Sequence, residues 1–530
     1  MNETVRATPV DAAEGAGGLE RLLDRLEPLT DRLNPIVVKE VRQVLRARGF
    51  AWSYFALVVL AAVIGAFMVL GDERNPSDAL GLEFLMLLQV LLGVGLLVVV
   101  PLQSFQSLGA EWEGDTYDQL AMSGLRPRNI VSGKFVSAFV QTLLMTAAFA
   151  PFIALAFLMR GVDLLAMGFV VMNLVLFSAW ASAIALGVSS LTTHRLARVV
   201  LFVALAAALT LGLIGTIQYG SVILTQSALL REPIFVTVVA SAYLGGSLVA
   251  LYFHLVACGK LAHPEENAAT PLRLFTIGGT VFVVGWAVAA NAWWSLPDEA
   301  VDVGLWMLGI ALALNTVLWA TERERLGRRV ANEISLKHGA ARFVPAALLP
   351  GGGRGLLFGL VLLAVVAGFD VLLSSDASFA VDSRRWFVAW VLCYASFFVG
   401  TTTLFTRRLC DTEFGTYVAR LLVVVVVVAS ILVPTVLGLL VGDRDLRNFR
   451  HALNAPWVLI EAGDGSMDQG LAVAVVGLGL VGLVLNALRI ARGVGEVRRA
   501  RRGSHAEDDP AVVRSRERAA ELDRASESPA

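Results

Sequence analysis

The chain has 530 residues, 56% of them hydrophobic and only 16% charged, and its mean hydropathy is +0.70. A soluble protein carries about 25% charged residues. Here near-uncharged apolar runs of about 18 residues or more recur, which excludes a soluble globular fold and predicts an all-α polytopic membrane protein. The net charge of -1 says nothing about partners, because the charges are segregated into loops.

In chain order, residues 1–51 form a polar cytoplasmic segment with no cleavable signal peptide. Residues 1–18 have the composition of disorder, and 19–33 that of a short amphipathic helix. Asn34-Pro35 restarts a helix as N-cap and first-turn proline. Lys39, Arg42, Gln43 and Arg46 then fall on one helical stripe, with Ile36, Val37, Val41, Val44 and Leu45 on the other face. That pattern predicts an amphipathic helix lying in the membrane interface, its cations toward anionic lipid. Trp52 and Tyr54 follow as interfacial aromatics.

Spans are expected at 52–70, 80–103, 135–159, 164–189, 199–218, 234–258, 273–294, 303–320, 355–373, 386–406, 419–441 and 469–490. Twelve spans put both termini on one side. Of the 43 basic residues, 35 fall in the segments assigned to the cytoplasm and 8 in the opposite loops, so both termini are expected to be cytoplasmic. The mixed stretch 219–233 reads as a segment that dips back into the membrane. The expected organisation is a six-span module over 52–260 and a linker, hairpin and cytoplasmic loop over 261–354. A four-span second module over 355–492, read as a degenerate repeat, and a charged disordered tail over 493–530 complete it. Loop 321–354, which opens Thr-Glu-Arg-Glu-Arg and closes Pro-Gly-Gly-Gly-Arg, is long and charged enough to reach a partner. Gly355 and Gly359 read as a helix-packing pair.

No motif for chemistry emerges. Gly133-Lys134 lacks the rest of a phosphate loop, and the six histidines and three cysteines show no ligand spacing. No hydrolase elbow is present. The chain reads as a non-enzyme that binds no metal and no nucleic acid. Glu83, Asp370 and His254 lie near span ends and read as snorkelling groups.

The most unusual stretch is residues 104–134, a polar island between two spans. Glu111, Glu113, Asp115 and Asp118 crowd one expected short helix, and Trp112, Tyr117 and Leu120 give it an apolar face. Ser123-Gly124 breaks it, Arg126-Pro127-Arg128 makes a basic turn, and Gly133-Lys134 leads into the next span. This order resembles the ABC-2 type transporter permease family. The match runs through Glu111, Glu113, Thr116, Asp118, Leu120, Ser123, Leu125, Arg126, Ile130, Gly133 and Lys134. The Asn-Pro-x-x-x-Lys-Glu-x-Arg run from Asn34 to Arg42 is similar to the family's amphipathic elbow helix. The likeness covers about residues 34–258. Asp115 stands where the family usually has glycine before threonine.

The resemblance implies the permease subunit of an ATP-driven exporter in the bacterial cytoplasmic membrane. A separate ATPase subunit, carrying ATP and Mg, would dock on Glu111, Trp112, Glu113, Asp115, Thr116, Tyr117, Asp118 and Leu120, with Arg126, Arg128 and Lys134 in the following turn. Lipid, and a homodimeric copy or second permease, complete the expected partners. An ion-coupled secondary carrier and a non-transporting membrane scaffold remain open alternatives. Loop 407–420 echoes the island, with Asp411-Thr412 set against Asp115-Thr116.

Overall fold

The computed structural model describes residues 35–46, 48–71, 80–113, 126–159, 161–192, 194–262, 266–294, 298–336, 344–373, 383–406, 413–441, 452–464 and 467–501. The expected disorder over 1–18, the short amphipathic helix over 19–33 and the charged tail over 502–530 lie outside the described residues. Among the described residues the secondary structure is helical and contains no strand. Among the described residues, twelve helical stretches are long and apolar enough to cross a membrane. Such a chain satisfies its backbone polar groups within each segment, which is what a lipid surround demands. Phe67, Leu70, Val473 and Val484, among many large apolar side chains, stand exposed on the spans.

The chain divides into two compact units, Met1–Leu261 and Ala262–Ala530. The first begins with α1 (Pro35–Arg46) and α2 (Arg48–Gly71). One long span follows in three pieces: α3 (Leu80–Gly93), a π-bulge at Val94–Val99, and α4 (Val100–Glu113). Next come α5 (Pro127–Leu158), α6 (Leu164–Ser189), α7 (Arg195–Thr225) and α8 (Pro233–Leu261). The α3–α4 span and α6 are the most enclosed in this unit, while α2, α7 and α8 lie at its periphery. Phe84, Leu88, Leu92, Leu96, Met145, Phe149 and Leu174 form the main core.

The π-bulge lies just before Pro101, which has no N–H to donate and so leaves one carbonyl of this stretch without a ladder partner. Val100 N–H reaches back to Gly95 O, and the carbonyl of Leu96 takes a hydrogen bond from Ser178 Oγ of α6 at 2.7 Å. Ser178 in turn meets Thr142 Oγ1 of α5 at 2.8 Å. Asp163 caps α6 by accepting from Leu165 N–H at 2.8 Å, and that bond holds its carboxyl below the usual carboxylate range.

The dip expected at 219–233 is not formed. Helix α7 continues to Thr225, Gln226 leaves helical geometry, and a 3-10 turn at Ser227–Arg231 hands over to Pro233 at the head of α8. Residues 219–225 add about two turns to the helix expected to end at 218.

The second unit contains α9 (Ala269–Trp294), α10 (Asp298–Ala320), the short α11 (Arg328–Leu336) and α12 (Gly352–Leu373). A second bulged span follows as α13 (Phe387–Tyr394), a π-bulge at Ala395–Val399, and α14 (Gly400–Thr406). Then come α15 (Glu413–Val441), α16 (Ala455–Gly463) and α17 (Gln469–Arg501). The α9–α10 hairpin shares one hydrophobic core with the later spans, through Leu305, Leu312 and Trp319 against Leu356, Leu363 and Val388. Helix α17 does not stop near 492. It runs to Arg501, because Val497 and Ala500 bury against Leu326, Val330 and Ile334.

Gly355 and Gly359 do form a packing contact. A Cβ on Gly355 would lie 2.2 Å from Trp319 O, and one on Gly359 2.2 Å from Thr316 Oγ1, so α12 lies directly against the α10 backbone at Trp319 and against the Thr316 side chain. Gly355→Val is expected to force α10 and α12 apart, costing on the order of 3 kcal/mol. Gly368→Val, where a Cβ meets nothing within 4 Å, should be near neutral. Thermal unfolding in detergent checks both: equal midpoints for the two variants would contradict this packing.

Candidate coupling site

The site begins with α5. Arg126 adopts extended backbone as its N-cap, with Pro127 in the first turn, where a missing N–H costs nothing. Arg126 and Arg128 are exposed. One to two turns further on, Lys134 points the other way. Only 3% of it is exposed. Its Nζ lies 3.1 Å from Glu40 Oε1 of α1 and donates to Ser107 O of α4 at 3.2 Å. Lys134 is therefore turned inward, a strut joining three elements, and is not part of an outward docking surface.

The end of α4 is held at two further points. Ser189 Oγ of α6 donates to Phe105 O at 2.7 Å, and the buried Arg198 of α7 donates from Nη1 to Gly109 O at 3.1 Å. Carbonyls at 105, 107 and 109 are thus each engaged by a different helix. Beyond them, Glu111, Trp112 and Glu113 continue α4 without a break. The acid segment thus starts as an extension of the second span and not as a separate helix. Asp115, Thr116, Tyr117, Asp118 and Leu120 lie outside the described residues.

Helix α1 presents two faces, as its pattern implies. Lys39, Arg42, Gln43 and Arg46 are exposed, and with Val38 they border a shallow surface groove. Val37 and Val41 are half-buried, and Glu40 is buried among them. Glu40 and Arg198 are the site residues that sequence reasoning left without a role. The signal for Glu40 was present: it is an acid at i+3 from Val37 and i-1 from Val41, on the apolar side of an otherwise cationic helix. An acid there needs a buried cation.

A polar seam runs beside this end. Ser137, Gln141 and Thr142 of α5 and Ser178 and Ser182 of α6 are all buried. The bulge carbonyl of Leu96 joins it through Ser178.

In the second unit, the described ends of loop 321–354, residues 321–336 and 344–354, pack back onto the bundle. Glu322 and Glu324 fold back on buried arginines. Arg273 pairs with Glu322 at 2.5 Å and donates to Ala347 O and Leu349 O. Arg489 pairs with Glu324 and donates to Thr403 Oγ1 at 2.7 Å. Arg354 pairs with Glu496 at 3.1 Å and donates to Gly493 O. Gly351, at φ 145, gives its N–H to Glu322 Oε2. The charges that looked available to a partner close a clasp on their own bundle. Asp370 does not snorkel either: it is 1% exposed and accepts from Val388 N–H at the head of α13. Glu83 is exposed. His254 stacks edge-on with Phe135.

Among the described residues no group of three or more His, Cys, Asp or Glu could hold a metal ion. The fold and the apolar spans define a multi-pass helical membrane protein. Compared with known protein families, characterised proteins and solved structures, the chain matches none.

Lys134→Met should strand the Glu40 carboxylate in a buried site and cost about 3–5 kcal/mol. Adding Glu40→Leu should recover most of the loss. Thermal midpoints of the single and double variants in detergent check this; equal losses in both would contradict the strut.

Proposed function

We propose that this chain is the membrane-spanning permease subunit of an ATP-driven exporter, worked by a separate ATPase subunit that docks on the segment beginning at Glu111. The observation that carries the reading is the Glu40–Lys134–Ser107 junction. It ties the elbow-like run, the end of the second span and the Ile-x-x-Gly-Lys run into one body, and these are the pieces on which the family resemblance rests. A force applied at Glu111–Glu113 passes directly into α4. From there it reaches α1, α5, α6 and α7 through Ser107, Phe105 and Gly109.

In this reading both termini and the island face the cytoplasm of a bacterial cell, as the 35 to 8 distribution of basic residues supports. Helix α1 lies in the interface with Lys39, Arg42 and Arg46 toward lipid headgroups. Glu111, Glu113, Asp115 and Asp118 orient the ATPase by charge, and Trp112, Tyr117 and Leu120 supply buried contact area. Thr116 belongs to the same segment, and Arg126 and Arg128 flank it as exposed cations. ATP and Mg stay on the partner. The chain contributes no catalytic group; it converts movement of α4 into movement of the packed spans, with the seam of Ser137, Gln141, Thr142, Ser178 and Ser182 as the polar surface that such movement would open.

One observation favours a second reading, an ion-coupled carrier: Asp370 is a carboxylate buried within a span. The two separate experimentally. Glu113→Lys combined with Leu120→Asp should abolish ATPase co-purification and lower ATP-driven flux in vesicles more than tenfold, with unchanged thermal stability. Retention of both would sink the docking role. Flux that survives without the ATPase and is lost in Asp370→Asn would establish the carrier.

A further inference from the structure

The two units repeat one device. Each has a π-bulge in a heavily enclosed span, Val94–Val99 in the first and Ala395–Val399 in the second. Each bulge ends on valine, and a phenylalanine follows at the same distance, Phe105 and Phe405. Glu113, Thr116 and Tyr117 then recur as Glu413, Thr416 and Tyr417, at identical spacing from Val99 and Val399. The chain has 7 tyrosines, and only Tyr117 and Tyr417 follow threonine. Both Thr-Tyr pairs therefore fall at one place relative to a bulge.

The surroundings repeat as well. An amphipathic helix precedes each pair of spans: α1 before α2 and the first bulge, α11 before α12 and the second. Helix α11 buries Val330, Ala331 and Ile334 and follows the buried Leu326. A serine bonds each bulged span to a later helix, from opposite sides: Ser178 Oγ of α6 donates to Leu96 O in the first bulge, and Ser396 Oγ in the second bulge donates to Gly479 O of α17 at 2.9 Å. In the second bulge Thr401 and Thr403 hydroxyls take up the carbonyls of Phe397 and Val399. The register fixed by the bulges sets Glu413–Tyr417 against Glu113–Tyr117. It replaces the pairing of Asp411-Thr412 with Asp115-Thr116, which is offset by four residues.

We propose that the second unit carries a second docking segment, Glu413–Tyr417, for the same ATPase, so that one chain takes two ATPase subunits and needs no second permease. This rests on the permease reading above. The two segments are not identical in setting. Glu413–Tyr417 forms the first turns of α15, with Gly415 buried and Thr416 and Tyr417 half-buried. Glu113 ends α4. Glu413 thus opens a span helix where Glu113 closes one.

The test is the composition of the intact complex. Full-length chain is purified in mild detergent with its co-purifying phosphate-loop ATPase and weighed by native mass spectrometry. The expected wild-type complex holds one 56.7 kDa chain and two ATPase subunits. Tyr417→Ala and, separately, Thr416→Lys should each leave one ATPase per chain, as should Tyr117→Ala in the first segment. The two second-segment variants guard against loss of fold at a half-buried position, with elution volume and yield as controls. Two chains with two ATPases in wild type would overturn the proposal. So would two ATPases retained in both second-segment variants. One ATPase per chain, lost only in Tyr117→Ala, would overturn this proposal and leave the permease reading standing. No ATPase on the wild-type chain would overturn both.

Discussion

A buried cation must find its counter-charge inside the same bundle, and that constraint organises both units. Taking an ammonium or guanidinium out of water costs several kcal/mol unless a carboxylate and further acceptors replace the solvent. Lys134 meets this with Glu40 and the carbonyl of Ser107. Arg273, Arg354 and Arg489 meet it with Glu322, Glu496 and Glu324, and each also donates to backbone carbonyls. In every case the pair bridges elements far apart in sequence. The pairs contribute less as net stabilisation than as specification: an arrangement of helices that separated any of them would strand a buried charge.

The same logic explains what was legible in the sequence and what was not. The twelve spans are visible because lipid-facing helices need apolar residues all round, a signal carried within each segment. The cationic stripe of α1 and the Gly355/Gly359 contact are equally local. What escaped is long-range. Lys134 looks like part of an exposed basic turn with Arg126 and Arg128, yet it turns inward to reach Glu40. Glu322 and Glu324 look like a solvated charge run, yet their partners Arg273 and Arg489 stand outside that run altogether. Pairing of that kind leaves no periodicity to read. The π-bulges are half-legible: Pro101 signals a disturbed ladder, whereas nothing comparable marks Ala395–Val399.

The bulges also bear on movement. A π-turn leaves carbonyls that depend on side chains such as Ser178 and Thr401 rather than on the helix ladder, and it places a point of adjustable register in the most enclosed spans. In the first unit this point lies on the same span as the acid segment, with the 105–109 clamp between them. A push at Glu111–Glu113 would therefore act on a span that is fixed at one end by three neighbours and able to change register further along. That arrangement suits a lever better than a static anchor.

The most direct measurement is hydrogen exchange across the full chain, alone and with the ATPase subunit proposed to dock on it and a non-hydrolysable ATP analogue. The account predicts that exchange slows over residues 111–122 when the ATPase binds. Full binding of the ATPase with unchanged exchange over 111–122 would contradict it.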